Sequence, residues 1–529
     1  MVAALKRPLR VLFIEEYLPQ EMLGIMWLSR AIKDAGHETK CLFIPDKQWI
    51  EKVQEYAPDV VCYSVTTGMH LYLADVNRKV KKVLPNVLSV FGGPHATFSP
   101  EFVETDGVDA VCRGEGELAI VELLERLREG RSHYDVQNFW FKRRDTGEIV
   151  QNENRQLVQD IDSLGFPDRD VIYEAGAIYR DSDRKVFVSQ RGCPMPCSFC
   201  FHHAMKKKVY NARNSAYVRK RSVSHVIDEI NHVRRKYNLK FVHFLDDIFN
   251  LRNEWLDEFC ERYPKEVGLP FDVILMANMT TEEHIKKLKQ AGCVYARIAF
   301  EAASDYVRNA VFKKNTTRQQ LTDAAGWIKK YGIRLGSLNM LGGPGGTMAD
   351  EFDTVKLNIE CKVDHPLVSL MQPYPMFDIA DMTREMGYAV AGYDDFPTKF
   401  NRTTSILYEN KTEIENLHKL FPILVRYPWL MPLAPKAIKL RFMQKPYLIA
   451  YMLYSEYMVA EQAKLYAHAQ GLSGPRYWAW VDFTRRLGTK GVLRVYQVVF
   501  ARFFDKFFSP RQAQLALQMG DERVVAHMD

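Results

Sequence analysis

QRGCPMPCSFCFHH, residues 190–203, places Cys193, Cys197 and Cys200 at C-x3-C-x2-C spacing on a segment broken by two prolines. Thiolates are soft ligands, and cysteine is the usual holder of iron–sulfur clusters. A four-iron cubane held by three cysteines keeps one iron without a protein ligand. That is the logic of a catalytic metal site, where a substrate completes the coordination. The alternatives are a zinc site, with His202 or His203 as fourth ligand, and three unrelated cysteines; the spacing is unlike that of a structural finger. The other six cysteines, Cys41, Cys62, Cys112, Cys260, Cys293 and Cys361, are scattered. An odd total of nine, with no secretory leader read in MVAALKRPLRVLFIEEY at residues 1–17, argues against a disulfide framework.

Working outward, the segment closes a predicted strand at 186–190, and further strands are predicted at 241–245, 272–276, 296–300, 334–340 and 367–372. Helical stretches such as 223–236, 281–291 and 318–331 separate them. Six strand–helix units predict a partial (β/α)6 barrel of TIM type, with its active site at the carboxyl edge of the strands. Upstream, strands at 10–14, 39–44, 59–64, 87–91 and 110–112 alternate with helical patterns such as 23–36. That predicts a Rossmann-like, doubly wound parallel sheet of the α/β class. Ligands of such sheets lie beyond the carboxyl ends of the strands. Those ends carry SVTT (64–67), GGPHAT (92–97) and RGEGE (113–117). Each glycine alone suits a tight turn, but three such loops on one edge favour a large ligand approaching the backbone. After 395 the strands stop and a mostly helical region follows, broken by Pro422, Pro428, Pro432 and Pro435. The expected domains are therefore 1–135 (Rossmann-like), 136–180 (linker), 181–395 (barrel) and 396–529 (helical).

The 529 residues are too many for one core, and 47% hydrophobic with 26% charged residues excludes a disordered or collagen-like chain. No apolar run is long enough to predict a bilayer span. The net charge of +7 is uneven: residues 421–508 hold 13 Lys and Arg against 4 Asp and Glu. The same region carries aromatic stretches, RYPWLMPLAPKAIKLRF and RVYQVVFARFFDKFF. Anionic lipid, nucleic acid and plain solvent are the three partners such a stretch suits.

With these residues in place, the chain resembles the radical S-adenosylmethionine (radical SAM) enzymes over about residues 186–390. The three cysteines, the aromatic Phe199 before the last of them, and their position after the first of six strand–helix units match that family's signature. The resemblance implies that Cys193, Cys197 and Cys200 hold a [4Fe–4S] cluster whose open iron is chelated by SAM. Electron transfer then cleaves SAM to methionine and a 5′-deoxyadenosyl radical. It further implies that Asp246 and Asp247, in FLDDIF, contact the SAM amino group or its neighbours. Glu301, in RIAFEAAS, faces the ribose, and Gly342 and Gly343, in LGGPGGT, pass near the adenine. A helix cap is the plain alternative for the paired aspartates, and a surface ion pair for Glu301. Gly346 stands where relatives have an acid, and QPYPMFD (372–378) departs from their Pro-Tyr-Pro-Gly-Thr.

Residues 8–130 resemble the cobalamin-binding domain that precedes the barrel in one large radical SAM subgroup, through GGPHAT and RGEGE. Ser64, Thr66, Gly92, Gly93 and Gly114 are then expected to border the corrin, with His95 as a polar lining residue rather than a cobalt ligand. Alignment on Gly24 puts Glu21 where simple cobalamin modules have the ligating His, so His-on cobalt is not expected. The implied reaction is methylation of an unactivated carbon of a hydrophobic or natural-product substrate, a second SAM renewing the methyl group. A cobalamin-dependent cyclase or rearrangement of a tetrapyrrole or lipid is the alternative. Methylthio transfer to tRNA would need a second cysteine cluster, and Cys41, Cys62 and Cys112 give no obvious site. A non-catalytic iron–sulfur protein would leave the barrel without purpose. The expected partners are a small-molecule or lipid substrate and an electron donor such as flavodoxin or ferredoxin, but not nucleic acid. The expected location is the cytoplasm, with the C-terminal region as a peripheral contact to the inner membrane face.

Overall fold

Val11, Leu12, Phe13 and Ile14 are all buried in strand β1 (Arg10–Glu15), as a central parallel strand with helices on both faces requires. The structure is a computed structural model that describes residues 7–469 except 18, 19, 45, 47, 391, 393, 395 and 398–402. Strands β2 (Glu38–Phe43), β3 (Val60–Ser64), β4 (Leu88–Gly92) and β5 (Ala110–Cys112) join β1 in the order β2-β1-β3-β4-β5, all parallel. The helices Leu23–Asp34 and Glu117–Arg128 cover one face, over a core including Phe13, Trp27 and Leu123. Leu12, Ile14, Leu73 and Val80 build a separate core on the other face. The sheet is doubly wound, and its order reverses at β1, so a crevice opens between the ends of β1 and β3.

The expected linker is corrected at its start. β6 (Phe139–Lys142) pairs antiparallel with β5, and β7 (Ile149–Gln151) pairs antiparallel with β6, extending the sheet to seven strands. Runs of four and three residues around the Asp145–Gly147 turn are too short for alternation to stand out.

The second sheet begins with β8 (Arg184–Phe187), followed by the short antiparallel pair β9 (Gln190–Arg191) and β10 (Arg219–Lys220). Then come β11 (Phe241–Phe244), β12 (Phe271–Leu275), β13 (Cys293–Glu301), β14 (Arg334–Leu341) and β15 (His365–Leu370). Six of these form one parallel sheet in the order β8-β11-β12-β13-β14-β15, an open barrel with β8 and β15 at its edges. The helices Val223–Lys236, Glu282–Ala291 and Arg318–Lys330 start on Ser222, Thr281 and Thr317, whose hydroxyls accept backbone N–H groups. Phe244, Phe249, Phe259 and Phe271 are packed edge to face between this sheet and its helices.

A buried charge network joins the two sheets. Glu21, from the loop after β1, accepts from Val186 N of β8 at 2.8 Å and from Arg169 at 3.0 Å. Arg169 also donates to Glu229 at 2.9 Å, and Arg221 donates to that same carboxylate at 2.6 Å. Arg221 and Glu229 are each 1% exposed, so the chain of four charges works without solvent screening.

Beyond the barrel, the helix Lys411–Arg426 packs on β15 and on the helix Met348–Glu360, and the helix Gln444–Ala469 packs on it in turn. RVYQVVFARFFDKFF lies outside the described residues. Among the described residues no helix is long and apolar enough to cross a membrane.

Candidate functional site

The three cysteines sit on a loop that crosses the barrel mouth. It leaves β9 through Gly192, whose φ is +86° and whose Cβ, if present, would lie 2.4 Å from Tyr217 O. Only glycine fits that approach. Ser198 pins the middle of the loop: its Oγ donates to Val311 O at 2.6 Å, its N to Phe312 O at 3.1 Å, and its O accepts from Ile379 N at 3.0 Å. The loop is thereby tied to the segments after β13 and β15, on the far side of the opening. Cys193 and Cys197 are buried and pack with Met195, Ile248 and Met276, and with partly buried Cys200 and Phe199. Burial pushes the Cys193 thiol up to about 11 and raises Cys197 and Cys200 as well. The metal-free thiols hold their protons, and a metal centre binds by displacing them.

The donor set fits a cluster better than a single ion. Zinc needs ligands converging on one point, and no group of three His, Cys, Asp or Glu does so among the described residues. Both nominated histidines are engaged elsewhere. His202 meets Tyr217 Oη at 2.9 Å and Asp247 at 2.6 Å, and His203 meets Asp378 at 3.3 Å. Cys41, Cys62 and Cys112 are buried within β2, β3 and β5, as small apolar residues are, and build no second loop of thiolates.

The paired aspartates after β11 part company. Asp246 is 2% exposed and accepts from Ser189 N at 2.9 Å and from Ser189 Oγ at 2.8 Å. Burial raises its carboxyl to about 6, with Lys220 and these bonds opposing. It braces the end of the first barrel strand rather than standing free. Asp247 is half-exposed and carries the His202 contact. Neither caps a helix. Glu301 is a buried ion pair and not a surface one: it meets Lys314 at 3.0 Å, both side chains 9% exposed, with its backbone at φ +57°. Lys314 also faces Cys197 and Cys200 electrostatically, and Glu301 with Cys197 raises it despite burial. Phe199 meets Phe312 edge-on at 5.2 Å. Gly343 leaves no room for a side chain, since a Cβ would lie 2.5 Å from Val307. Gly342 N donates to Glu351 at 2.8 Å, and burial lifts the Glu351 carboxyl to about 8. A carboxyl therefore does reach this loop despite Gly346, from a helix one turn downstream.

A cavity of about 480 Å³ separates the two sheets. Ser64, Gly92, Gly93 and Gly114 line it from the ends of β3, β4 and β5, opposite Arg191, Phe201, His202, Asp246 and Asp247. Thr66 and His95 lie outside its wall. Thr66 is exposed on the turn beyond β3. The His95 ring is buried, stacks on His70 at 3.9 Å and meets Thr67 at 3.1 Å. Burial, with His70 adding, lowers His95 to about 3. Glu21 is spent on Arg169 and Val186 N. Gly93 is required by close backbone packing there, since a Cβ would lie 2.9 Å from Val65 O.

Several residues that shape the cavity carry no sequence signal. Glu15 sits at the crevice, fully buried, and accepts from Ser64 N at 2.8 Å; burial lifts it to about 8. Tyr210 reaches across from the barrel side, accepts from Glu115 N at 2.8 Å, and seats against Gly114. The acids of RGEGE strap the first sheet to the β9–β10 pair, Glu115 to Arg219 at 2.5 Å and Glu117 to Arg191 at 2.6 Å. Against burial, Arg219 and Arg191 hold Glu115 below the usual carboxylate range.

Residues 10–124 match the B12 binding domain family, and residues 187–357 match the radical SAM superfamily. An uncharacterized methyltransferase of Pyrococcus horikoshii is 30% identical over 382 residues, 70% of this chain and 78% of that protein. An anaerobic magnesium-protoporphyrin IX monomethyl ester cyclase of Cereibacter sphaeroides is 27% identical over 408 residues, 72% of this chain and 63% of that protein. Among solved structures, the cobalamin-dependent SAM radical enzyme OxsB, with aqua-cobalamin and SAM bound, has a TM-score of 0.63 at 16% identity, covering 94% of this chain and 81% of that one. The radical SAM methyltransferase TsrM from Kitasatospora setae, with cobalamin and a [4Fe–4S] cluster bound, has a TM-score of 0.59 at 18% identity, covering 72% of this chain and 75% of that one. At these identities the two structures share the fold.

Proposed function

The chain belongs to the cobalamin-dependent radical SAM family, and from that membership we propose that it methylates an unactivated carbon of a hydrophobic or natural-product substrate. The observation that carries this reading is the shared cavity, in which the glycine edge of the first sheet faces Phe201, His202 and the aspartates beside the cysteine loop. When bound, the cluster and SAM supply a carbon-centred radical, and cobalamin supplies the methyl group.

The protein's part is to hold and orient. Cys193, Cys197 and Cys200 serve as the three cluster ligands, and Phe199 supports their loop through Phe312. Asp246 fixes the end of β8 through Ser189, while Asp247, half-exposed and paired with His202, is the carboxylate placed to take an ammonium. Glu301 and Lys314 present a fixed acid and cation beside the cysteines, and the Gly342–Gly343 loop passes near the adenine. Ser64, Gly92, Gly93 and Gly114 border the corrin. Apolar walls such as Phe13, Trp27 and Phe139 exclude water, which protects a radical from side reactions. A flavodoxin or ferredoxin supplies the electron, and the enzyme works in the cytoplasm or at the inner face of a membrane.

The cyclase reading is kept alive by the Cereibacter relative. The two differ in products. Loaded enzyme is given reductant, a lipid extract and SAM with a deuterated methyl group. Methyl transfer releases 5′-deoxyadenosine and S-adenosylhomocysteine in equal amounts and puts deuterium into one extracted compound. Deoxyadenosine with no homocysteine product and no deuterium transfer would replace methylation by cyclisation or rearrangement.

A further inference from the structure

From Asn416 to Ser455 the chain contains no Asp or Glu, but it contains six Lys and Arg. Five of these, Arg426, Lys436, Lys439, Arg441 and Lys445, are exposed. After the helix Lys411–Arg426 this stretch folds as short turns, Pro428–Leu430, Ala434–Ala437 and Arg441–Met443, before the helix at Gln444. Its inner side is firmly seated. Ala434 and Ile438 are 2% and 1% exposed, Asn416 donates to Ile438 O at 2.8 Å, and Tyr447 Oη donates to Ala437 O at 3.0 Å. Large apolar side chains stand exposed on this stretch as well: Trp429 is 72% exposed, Phe442 77% and Leu433 61%. A seated backbone holds these side chains outward among cations.

We infer that this face, centred on Trp429, Leu433 and Phe442 and ringed by Lys436, Lys439 and Arg441, docks on an anionic lipid bilayer. Aromatic and aliphatic side chains that enter the headgroup layer, flanked by Lys and Arg that meet lipid phosphate, are how a protein lies on a membrane without crossing it. Charge selects this occupant. A second copy would bring the same cationic face against itself. The chain beyond residue 469 holds nine Lys and Arg against five Asp and Glu, and so is also net positive. The inference deepens the reading of work at a membrane face by naming the surface, and it suits delivery of an apolar substrate to the barrel.

The test is sedimentation of the full-length holoenzyme with vesicles of phosphatidylcholine alone or mixed equally with phosphatidylglycerol, without reductant. Binding to the mixed vesicles only is expected, and it should weaken with salt. Lys436→Gln/Lys439→Gln/Arg441→Gln should weaken it about a hundredfold, and Trp429→Ser/Phe442→Ser more than about tenfold. Deoxyadenosine formation by both variants should match the wild type, which separates docking from folding and from the catalytic reading. Absence of vesicle binding, or equal binding by wild type and variants, overturns the inference. So does a dimer in sedimentation velocity that Trp429→Ser/Phe442→Ser dissociates, since the face would then belong to a second copy.

Discussion

Glu15 shows how burial at one position converts into a property of the whole protein. Its carboxyl lies at the crevice between β1 and β3, raised to about 8 because burial desolvates the charged form. An unfolded chain ionises the same group near 4.3 (roughly the free value). Between those values the folded state holds the extra proton, so stability is full below the lower value and falls as pH rises toward 8. The slope from this group is about 1.4 kcal/mol per pH unit within the window. Glu15→Gln keeps an acceptor for Ser64 N and removes the titration. Urea unfolding of the variant at several pH values should show that slope gone; an unchanged profile would mean Glu15 does not carry it. The cysteine ligands were legible because their spacing alone carries chemistry. The partners of Asp246 and Glu301 were not, because Ser189 and Lys314 come from other segments and neither has a pattern of its own.

At the level of elements, strand ends are where legibility failed. The five parallel strands of the first sheet and the six of the second follow the predicted runs to within a few residues, since buried parallel strands are continuous apolar runs. Thr66 and His95 follow Ser64 and Gly93 in the same two loops but lie off the cavity wall, with His95 held by Thr67 and His70. The glycines are a better guide, for their absence of side chain is what a neighbour uses. Gly114, at φ +74°, receives Tyr210 so closely that a Cβ would lie 2.0 Å from the phenol oxygen. Gly114→Ala should therefore lower the corrinoid retained per chain, read from the visible spectrum, while iron and sulfide stay at wild-type levels. Adding Tyr210→Ala should restore part of the corrinoid if the clash is the cause. A Gly114→Ala protein with full corrinoid would remove this loop from the binding edge.

Across the whole molecule, the two sheets act as one site only if they are held in register. The Glu21–Arg169–Glu229–Arg221 chain does this from within, and Glu115–Arg219 and Glu117–Arg191 tie the first sheet to the β9–β10 pair at the cavity. Arg169→Met should cost about 3–5 kcal/mol in unfolding free energy, because two buried carboxylates lose a shared counter-charge. Urea unfolding measures it, and a loss below about 1 kcal/mol, as for a surface pair, would deny the network its role. None of this was readable in the sequence, where the four residues are spread from 21 to 229. The account rests on the cysteine loop, and the direct measurement is 5′-deoxyadenosine released from SAM by anaerobically reconstituted, reduced protein. Wild type should form it, and Cys193→Ala/Cys197→Ala/Cys200→Ala should bind no iron or sulfide and form none. Equal deoxyadenosine from the triple variant would contradict the account.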